Sequence, residues 1–285
     1  MKINNIVPNK HKYLQILEHI DKPVERLYYL GKLPETRRPT LAIVGSRKPS
    51  RYGIEVTERF SRELAAKGVI IVSGLALGID AIAHRAALDA HGTTLAVLAN
   101  ALPEISPHTN RELGERIIRE GGAILSETSE DEPLGKWSFL YRNRIVSGLS
   151  DAILITEAGA RSGTLNTAAH ALAQGKEVFV IPGNITSPLS AGCNNLLKQG
   201  AIPVTSPDDI LEIIAPELLT AQASLALGSN ALETEVIQLL QSGMRDGDDI
   251  QQQLDTDPSE LASTLTMLEL TGTIRSLGAN QWTLR

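Results

Sequence analysis

The feature that most restricts this chain is an alternation running through its middle. Short apolar runs rich in β-branched residues, TLAIV (40–44), VIIV (69–72), TTLAVL (93–98), AIL (123–125), AILIT (152–156), EVFVI (177–181) and AIPV (201–204), are separated by segments of helical period. In YGIEVTERFSRELAAKG, Ile54, Phe60, Leu64 and Ala65 share a face while Glu58, Arg62 and Lys67 point away. In TNRELGERIIREG, Thr109 is expected to cap a helix, with Glu112 three residues on. The runs are apolar throughout, as strands buried on both faces are. Strands separated by helices make right-handed crossovers in a parallel sheet. Residues 39–219 are therefore expected to form a Rossmann-like doubly wound α/β domain.

The flanks read differently. KYLQILEHIDKPVERLYYLGKLP, within residues 1–38, shows two short helical stretches broken at Lys22-Pro23 and at Gly31, which predicts a helical lead-in. TAQASLALGSN is small and polar and marks a linker over 220–230. From 231 to 285 come LETEVIQLL, GDDIQQQLD and DPSELASTLTMLELTG, then TIRSLGANQWTLR, a hairpin with a Gly-Ala-Asn turn. Three helices and a hairpin in that order predict a small winged-helix domain. Aromatics make up 4% of the 285 residues, so the core has to be aliphatic. A single cysteine, Cys193, excludes an internal disulfide and a cysteine-rich zinc site. The opening residues lack a signal-peptide core, and no run reaches the roughly 18 apolar residues of a membrane span. We expect a cytoplasmic chain without membrane contact.

In open parallel sheets, ligands sit at the carboxyl ends of the strands, where strand order reverses. The turns expected there are GSRKPS (45–50), SGLALG (73–78), ANALPE (99–104), SETSED (126–131), EAGARSG (157–163) and PGNITSP (182–188). Backbone N–H groups at a helix start attract anions, and glycine admits close approach. Several such turns on one sheet edge favour phosphate as the ligand. The phosphate is not that of a familiar cofactor. GSRKPSRYG lacks the spacing G-x-G-x-x-G, and no G-x-x-x-x-G-K-[ST] occurs, so no nucleotide cofactor is expected. Next, KWSFLYRNRIVSGLS interleaves Lys136, Arg142 and Arg144 with Trp137, Phe139 and Tyr141. Cations beside aromatic faces suit single-stranded nucleic acid; the same pattern also fits an ordinary amphipathic helix.

These motifs, in this order, resemble the DNA-processing protein A (DprA/Smf) family over roughly residues 12–210: GSR followed by Tyr52-Gly53, SGLALGIDAIAH, KWSFLYRNRIVSGLS, ITEAGARSGTLNTAAHALAQGKEVFVIPG and GCNNLLKQGA. The resemblance implies a Rossmann-type homodimer that binds single-stranded DNA, protects incoming DNA during natural transformation and helps load the RecA recombinase. It implies that Gly45, Ser46 and Arg47 hold one phosphate and that Ser73, Gly74 and Gly78 form a second anion site. Lys136, Phe139, Arg142, Asn143 and Arg144 line the strand's path, and Ser162, Gly163 and Thr164 open a helix at a further site. Gly192, Asn194, Asn195, Leu196 and Leu197 form the dimer contact. One departure is LANALPEISPH, with Ala99 and Ala101 where the family commonly has glycine.

Two other classes compete. The sheet edge also resembles lysine-decarboxylase-like phosphoribohydrolases, whose P-G-G-x-G-T-x-x-E carries a catalytic glutamate. Here RSGTLNTA has Asn166 and Thr167 in that region, and neither does acid–base chemistry at neutral pH. Asp80 and Glu157 are expected to order loops, His84 to be a buried helix residue and Cys193 to be apolar filler. We therefore expect no catalytic residue, no metal and no cofactor. The third class is a winged-helix reader of duplex DNA. Residues 220–285 hold nine acidic and three basic side chains, which argues against it.

Overall fold

The computed structural model describes residues 2–129, 134–219 and 230–284. The chain divides into two compact units, Met1–Ala215 and Pro216–Arg285.

The first unit is built on a nine-stranded sheet of order β1-β2-β6-β5-β4-β3-β7-β8-β9. All seven expected strands form: β3 (Thr40–Val44), β4 (Ile70–Ser73), β5 (Thr94–Leu98), β6 (Ala123–Ser126), β7 (Ala152–Ile155), β8 (Glu177–Val180) and β9 (Ile202–Pro203). They pair in parallel. β3, β5 and β7 are buried along their whole length, as uninterrupted apolar runs require. Strand pleating sends alternate side chains to opposite cores. Leu95 and Val97 join one cluster, and Ala96 and Leu98 the other. The connecting helices are α1 (Arg51–Ala66), α2 (Ile79–Asp89), α3 (Arg111–Arg119), α4 (Lys136–Leu149), α5 (Thr164–Ala173), α6 (Ala191–Lys198) and α7 (Pro207–Ile214). The chain runs outward from β3 to β6 and returns through α4 to β7 on β3's other side. The order therefore reverses between β3 and β7, and the crevice lies there.

The lead-in departs from its expected helices. It forms strand β1 (Asn4–Ile6), 3-10 turns at Pro8–Lys10 and Gln15–Glu18, and strand β2 (Leu27–Gly31). β2 pairs antiparallel with β6, and the lead-in belongs to the same compact unit as the sheet. Leu27 and Leu30 are spaced for a helix, but an unpaired β6 edge offers four ladder positions, and tertiary pairing overrides that spacing. Tyr13, Leu14, Leu17 and Ile20 are buried within the core cluster that holds Ile145, Val146 and Leu149 of α4. Gly148 makes the approach possible, because a Cβ there would lie 2.9 Å from the Leu17 side chain. The cap expected at Thr109 is also displaced. Thr109 lies in a 3-10 turn, and Asn110 precedes α3.

The second unit is the expected winged helix. Helices Ala231–Gln241, Gly247–Leu254 and Pro258–Leu270 are capped by the side chains of Asn230, Asp246 and Asp257. The antiparallel strands Ile274–Gly278 and Gln281–Leu284 turn through Ala279 and Asn280, both at positive φ as a tight hairpin requires. Val236, Ile237, Leu240, Ile250, Leu261, Leu265, Leu268 and Ile274 form its own core. The expected linker lies outside the described residues apart from Asn230.

Candidate nucleic-acid interface

At the switch point, the loop after β3, the loop after β7 and the N-terminal half of α4 enclose a cleft of about 580 Å³. It brings together Gly45, Ser46, Arg47, Phe139, Arg142, Asn143, Ser162, Gly163 and Thr164 from the expected set. The walls are cross-braced. Thr164 Oγ1 donates to the Gly45 carbonyl at 3.0 Å, and Ser162 Oγ donates to Thr164 Oγ1 at 2.9 Å. The Ser46 N–H donates to the Glu157 carbonyl at 2.8 Å. Glu157 itself is buried, and its carboxylate accepts from the Ser50 N–H and hydroxyl, which fixes the start of α1.

The exposed cation over the cleft is Arg47, whose guanidinium sits 5.7 Å from the centre of the Phe139 ring. That distance suits a cation–π contact and leaves the N–H fork free for an anion. A second exposed cation, Arg161, lines the same cleft. Neither arginine makes an ion pair among the described residues. Arg161 was missed in the sequence because its loop, EAGARSG, draws attention to the glycines. The signal was there, since a cation in a loop at the switch point faces the crevice. Lys136 opens α4, and its side chain lies outside the described residues.

The glycines have different reasons to be glycine. A Cβ at Gly45 would lie 2.7 Å from Ile79, one at Gly74 2.5 Å from the Arg142 guanidinium, and one at Gly78 2.3 Å from the Ser46 carbonyl oxygen. Gly78 also has φ +79°. These three are required by the chain's own packing. At Gly163 a Cβ would meet nothing within 4 Å, so the space beside the first turn of α5 opens into the cleft.

The SGLALG loop does not present a second open anion site. The Gly74 and Ala76 N–H groups donate to Asp80 Oδ2 at 3.1 and 3.4 Å. Ser73 is fully buried, and its hydroxyl donates to the Ile43 carbonyl. The Asn110 amide donates to the carbonyls of Leu75 and Ala76 from outside. The loop's anion is thus the chain's own carboxylate. Burial pushes the Asp80 carboxyl upward, and the nearby Arg142 and the two N–H groups oppose that shift.

Arg142 and Arg144 also differ from expectation. Arg142 is buried, and its Nη1 donates to the carbonyls of Gly74, at 3.0 Å, and Val97. Burial lowers its pKa to about 10, against the pull of Asp80, so it stays cationic at neutral pH. It braces α4 against the sheet and reaches the cleft only as part of the wall. Arg144 is 2% exposed and does not line the cleft. Its Nη2 pairs with both oxygens of Glu127 at 2.7 and 2.6 Å, and its guanidinium lies 4.1 Å from the Tyr141 ring centre. Of the expected dimer residues, Gly192 and Leu196 are buried within the protomer, Asn194 and Leu197 are half-buried and Asn195 is exposed. A Cβ on Gly192 would lie 2.6 Å from the Gly159 carbonyl, so that glycine seats α6 against the loop after β7.

Fold and cleft together define a Rossmann-type protein with a cationic, aromatic crevice at the sheet's switch point. The model of DNA recombination-mediator protein A matches residues 4–215, and that of the DprA winged helix domain matches 220–280. The chain belongs to the DNA-processing protein A (DprA/Smf) family. It is 47% identical over 198 residues to protein Smf of Escherichia coli, covering 70% of this chain and 53% of that one. To DNA processing protein DprA of Bacillus subtilis it is 37% identical over 211 residues, covering 74% and 71%. The chain thus spans about half the length of the first of these relatives. The X-ray structure of DprA from Streptococcus pneumoniae superposes with a TM-score of 0.69 at 36% identity, over 75% of each chain. A structure of the Helicobacter pylori protein, described as giving insight into its single-stranded DNA binding mode, does so with 0.66 at 31%, covering 76% of this chain and 97% of that one.

Proposed function

We propose that the cleft binds single-stranded DNA along its backbone, with little choice of sequence and without chemistry. The observation that carries this reading is the pair of exposed arginines, Arg47 and Arg161, which make no ion pair among the described residues, around the Phe139 ring and the open side of Gly163. Phosphate oxygens take the guanidinium forks, and a base takes the aromatic face. A duplex keeps its bases stacked inside and cannot offer one to Phe139. The single-stranded binding mode described for the Helicobacter pylori relative supports the assignment. Among the described residues lining the cleft, Asp80 is the one carboxylate, and its Oδ2 is engaged by two backbone N–H groups, which leaves it poorly placed as a general base. By family membership, the role in the cell is protection of incoming single strands during transformation and delivery of RecA to them. The working unit is a homodimer. For the dimer contact, Asn195 and Leu197 on α6 are available, and Ile185 in the preceding loop is 91% exposed.

Fluorescence anisotropy with labelled single-stranded and duplex oligonucleotides of equal length tests the reading at about 0.15 M salt. The single strand should bind more tightly. Equal or tighter binding to duplex refutes it.

A further inference from the structure

A second cavity, of about 610 Å³, lies on the other side of α4. The helix wall between the two is sharply divided. Phe139, Leu140 and Asn143 face the first cleft, while Ser138, Tyr141 and Ile145 face the second, and Arg142 borders both. Trp137 stands on the first turn of the same helix, 80% exposed. The far wall of the second cavity comes from the lead-in, through Pro23, Glu25, Arg26 and Tyr28, and its floor from Glu127 after β6.

The lining chemistry differs from that of the first cleft. Arg26 is exposed and unpaired among the described residues. Tyr28 offers a ring face and a hydroxyl, while Tyr141, whose ring has Lys22 Nζ over it at 5.8 Å as well as Arg144, offers its edge and hydroxyl. Tyr141 is held in place by the Arg144 guanidinium at 4.1 Å, and the same guanidinium neutralises Glu127. A paired carboxylate keeps spare acceptor lone pairs, so the floor accepts N–H donors and suits them better than phosphate oxygens. We propose that this cavity is a second nucleotide subsite for the same DNA strand, taking a base whose edge carries an exocyclic amino group. This rests on the single-strand reading of the first cleft. The strand leaves Arg47 and Phe139, crosses the first turn of α4 over Trp137, and places one base between Tyr141 and Tyr28 with its amino edge toward Glu127. Arg26 takes the adjoining phosphate. A helix is about 10 Å across with its side chains, a span that an extended strand crosses within a few nucleotides.

The test uses the full chain and labelled oligo(dC) and oligo(dT) of about 4 and about 16 nucleotides, lengths that bracket common single-strand site sizes. The long oligo(dC) should bind several-fold more tightly than the long oligo(dT), because thymine lacks the amino group, and the short pair should not differ. Arg26→Ala should weaken the long oligonucleotides and flatten their log K against log salt slope by roughly 0.7, the value for one phosphate. It should leave the short ones unchanged, whereas Arg47→Ala should weaken both lengths. Wild-type affinity and slope for Arg26→Ala on the long strand would overturn the proposal, as would equal binding of the two long homopolymers. If the wild-type chain binds neither length, the first cleft's reading falls and this one falls with it. Normal binding at both lengths with no effect of Arg26→Ala removes the second subsite alone.

Discussion

Gly163 and Gly74 lie on the same sheet edge, and the molecule uses them in opposite ways. A methyl group on Gly163 would stand in open space, whereas on Gly74 it would strike the Arg142 guanidinium. Gly163→Ala should therefore change stability by less than about 0.5 kcal/mol while weakening single-strand binding. Gly74→Ala should destabilise by about 1–3 kcal/mol through overpacking. Thermal denaturation beside a binding titration separates the two, and unaltered binding by Gly163→Ala would mean that no ligand approaches that turn. His84 gives a second residue-scale prediction. The one proton of the Thr94 hydroxyl goes to the Ile71 carbonyl, so His84 Nδ1 must donate to Thr94 Oγ1, which leaves Nε2 as a buried lone pair with no partner among the described residues. Burial, reinforced by Arg142, lowers the His84 pKa to about 3. The unfolded chain takes up this proton near pH 6.5 and the native state does not. The stabilisation is therefore complete above about pH 6.5 and is lost as pH falls toward 3, at up to about 1.4 kcal/mol per unit. His84→Gln should flatten the stability profile in that window, and an unchanged acid slope would contradict the assignment. At this scale the sequence was half informative. It placed Arg47, Phe139 and Gly163 at one edge. It could not tell a glycine facing a ligand from one facing the chain's own arginine, because that difference lies in contacts some 70 residues apart.

At the scale of elements, α4 is the piece on which both cavities depend, and its C-terminal end is tied down by an unusual cap. Lys176 Nζ donates to the carbonyls of Ser147, at 2.8 Å, Gly148, at 2.7 Å, and Ser150. The Ser147 carbonyl also accepts from the Ser150 N–H, so the ammonium adds to that bond and holds the Gly148 and Ser150 carbonyls, where a cation suits the negative end of the helix dipole. Lys176→Met keeps the length of the side chain and removes the donor. It should lower stability by about 1–3 kcal/mol, by leaving buried carbonyls unpaired. No change in denaturation midpoint would show that water replaces the ammonium at no cost. The parallel strands and their helices were legible because apolar run and helical period alternate without ambiguity. The lead-in was not, because Leu27 and Leu30 satisfy both periods. Its strand exists only because β6 would otherwise present an open edge, a fact about another part of the chain.

For the molecule as a whole, charge is divided between the two units. The tail carries the net negative charge, and its third helix, Pro258–Leu270, has no Lys or Arg and exposes Met267 and Leu270. A helix of that kind repels a polyanion. Truncation after Leu219 should therefore keep most of the single-strand affinity in a mobility-shift assay. A large loss, with the oligomeric state unchanged by light scattering, would move DNA binding to the tail. The division was readable from composition alone, since charge needs no fold to be counted. What composition hid is how many core cations are already spoken for: Arg142 and Arg144 are committed to the fold, and Arg47 and Arg161 are not.

That distinction makes the salt dependence of single-strand binding the most direct test of the account. Affinity should be measured from low to moderate salt for the wild-type chain, for Arg47→Ala with Arg161→Ala, and for Arg142→Lys. The double variant should flatten the log K against log salt slope by roughly 1.4, twice the value of about 0.7 per phosphate of a single strand. Arg142→Lys should lower stability and weaken binding with the slope unchanged. A wild-type slope in the double variant, or a flattened slope in Arg142→Lys, would contradict it, because the phosphates would then be held by the buried arginine and the open cleft would hold none.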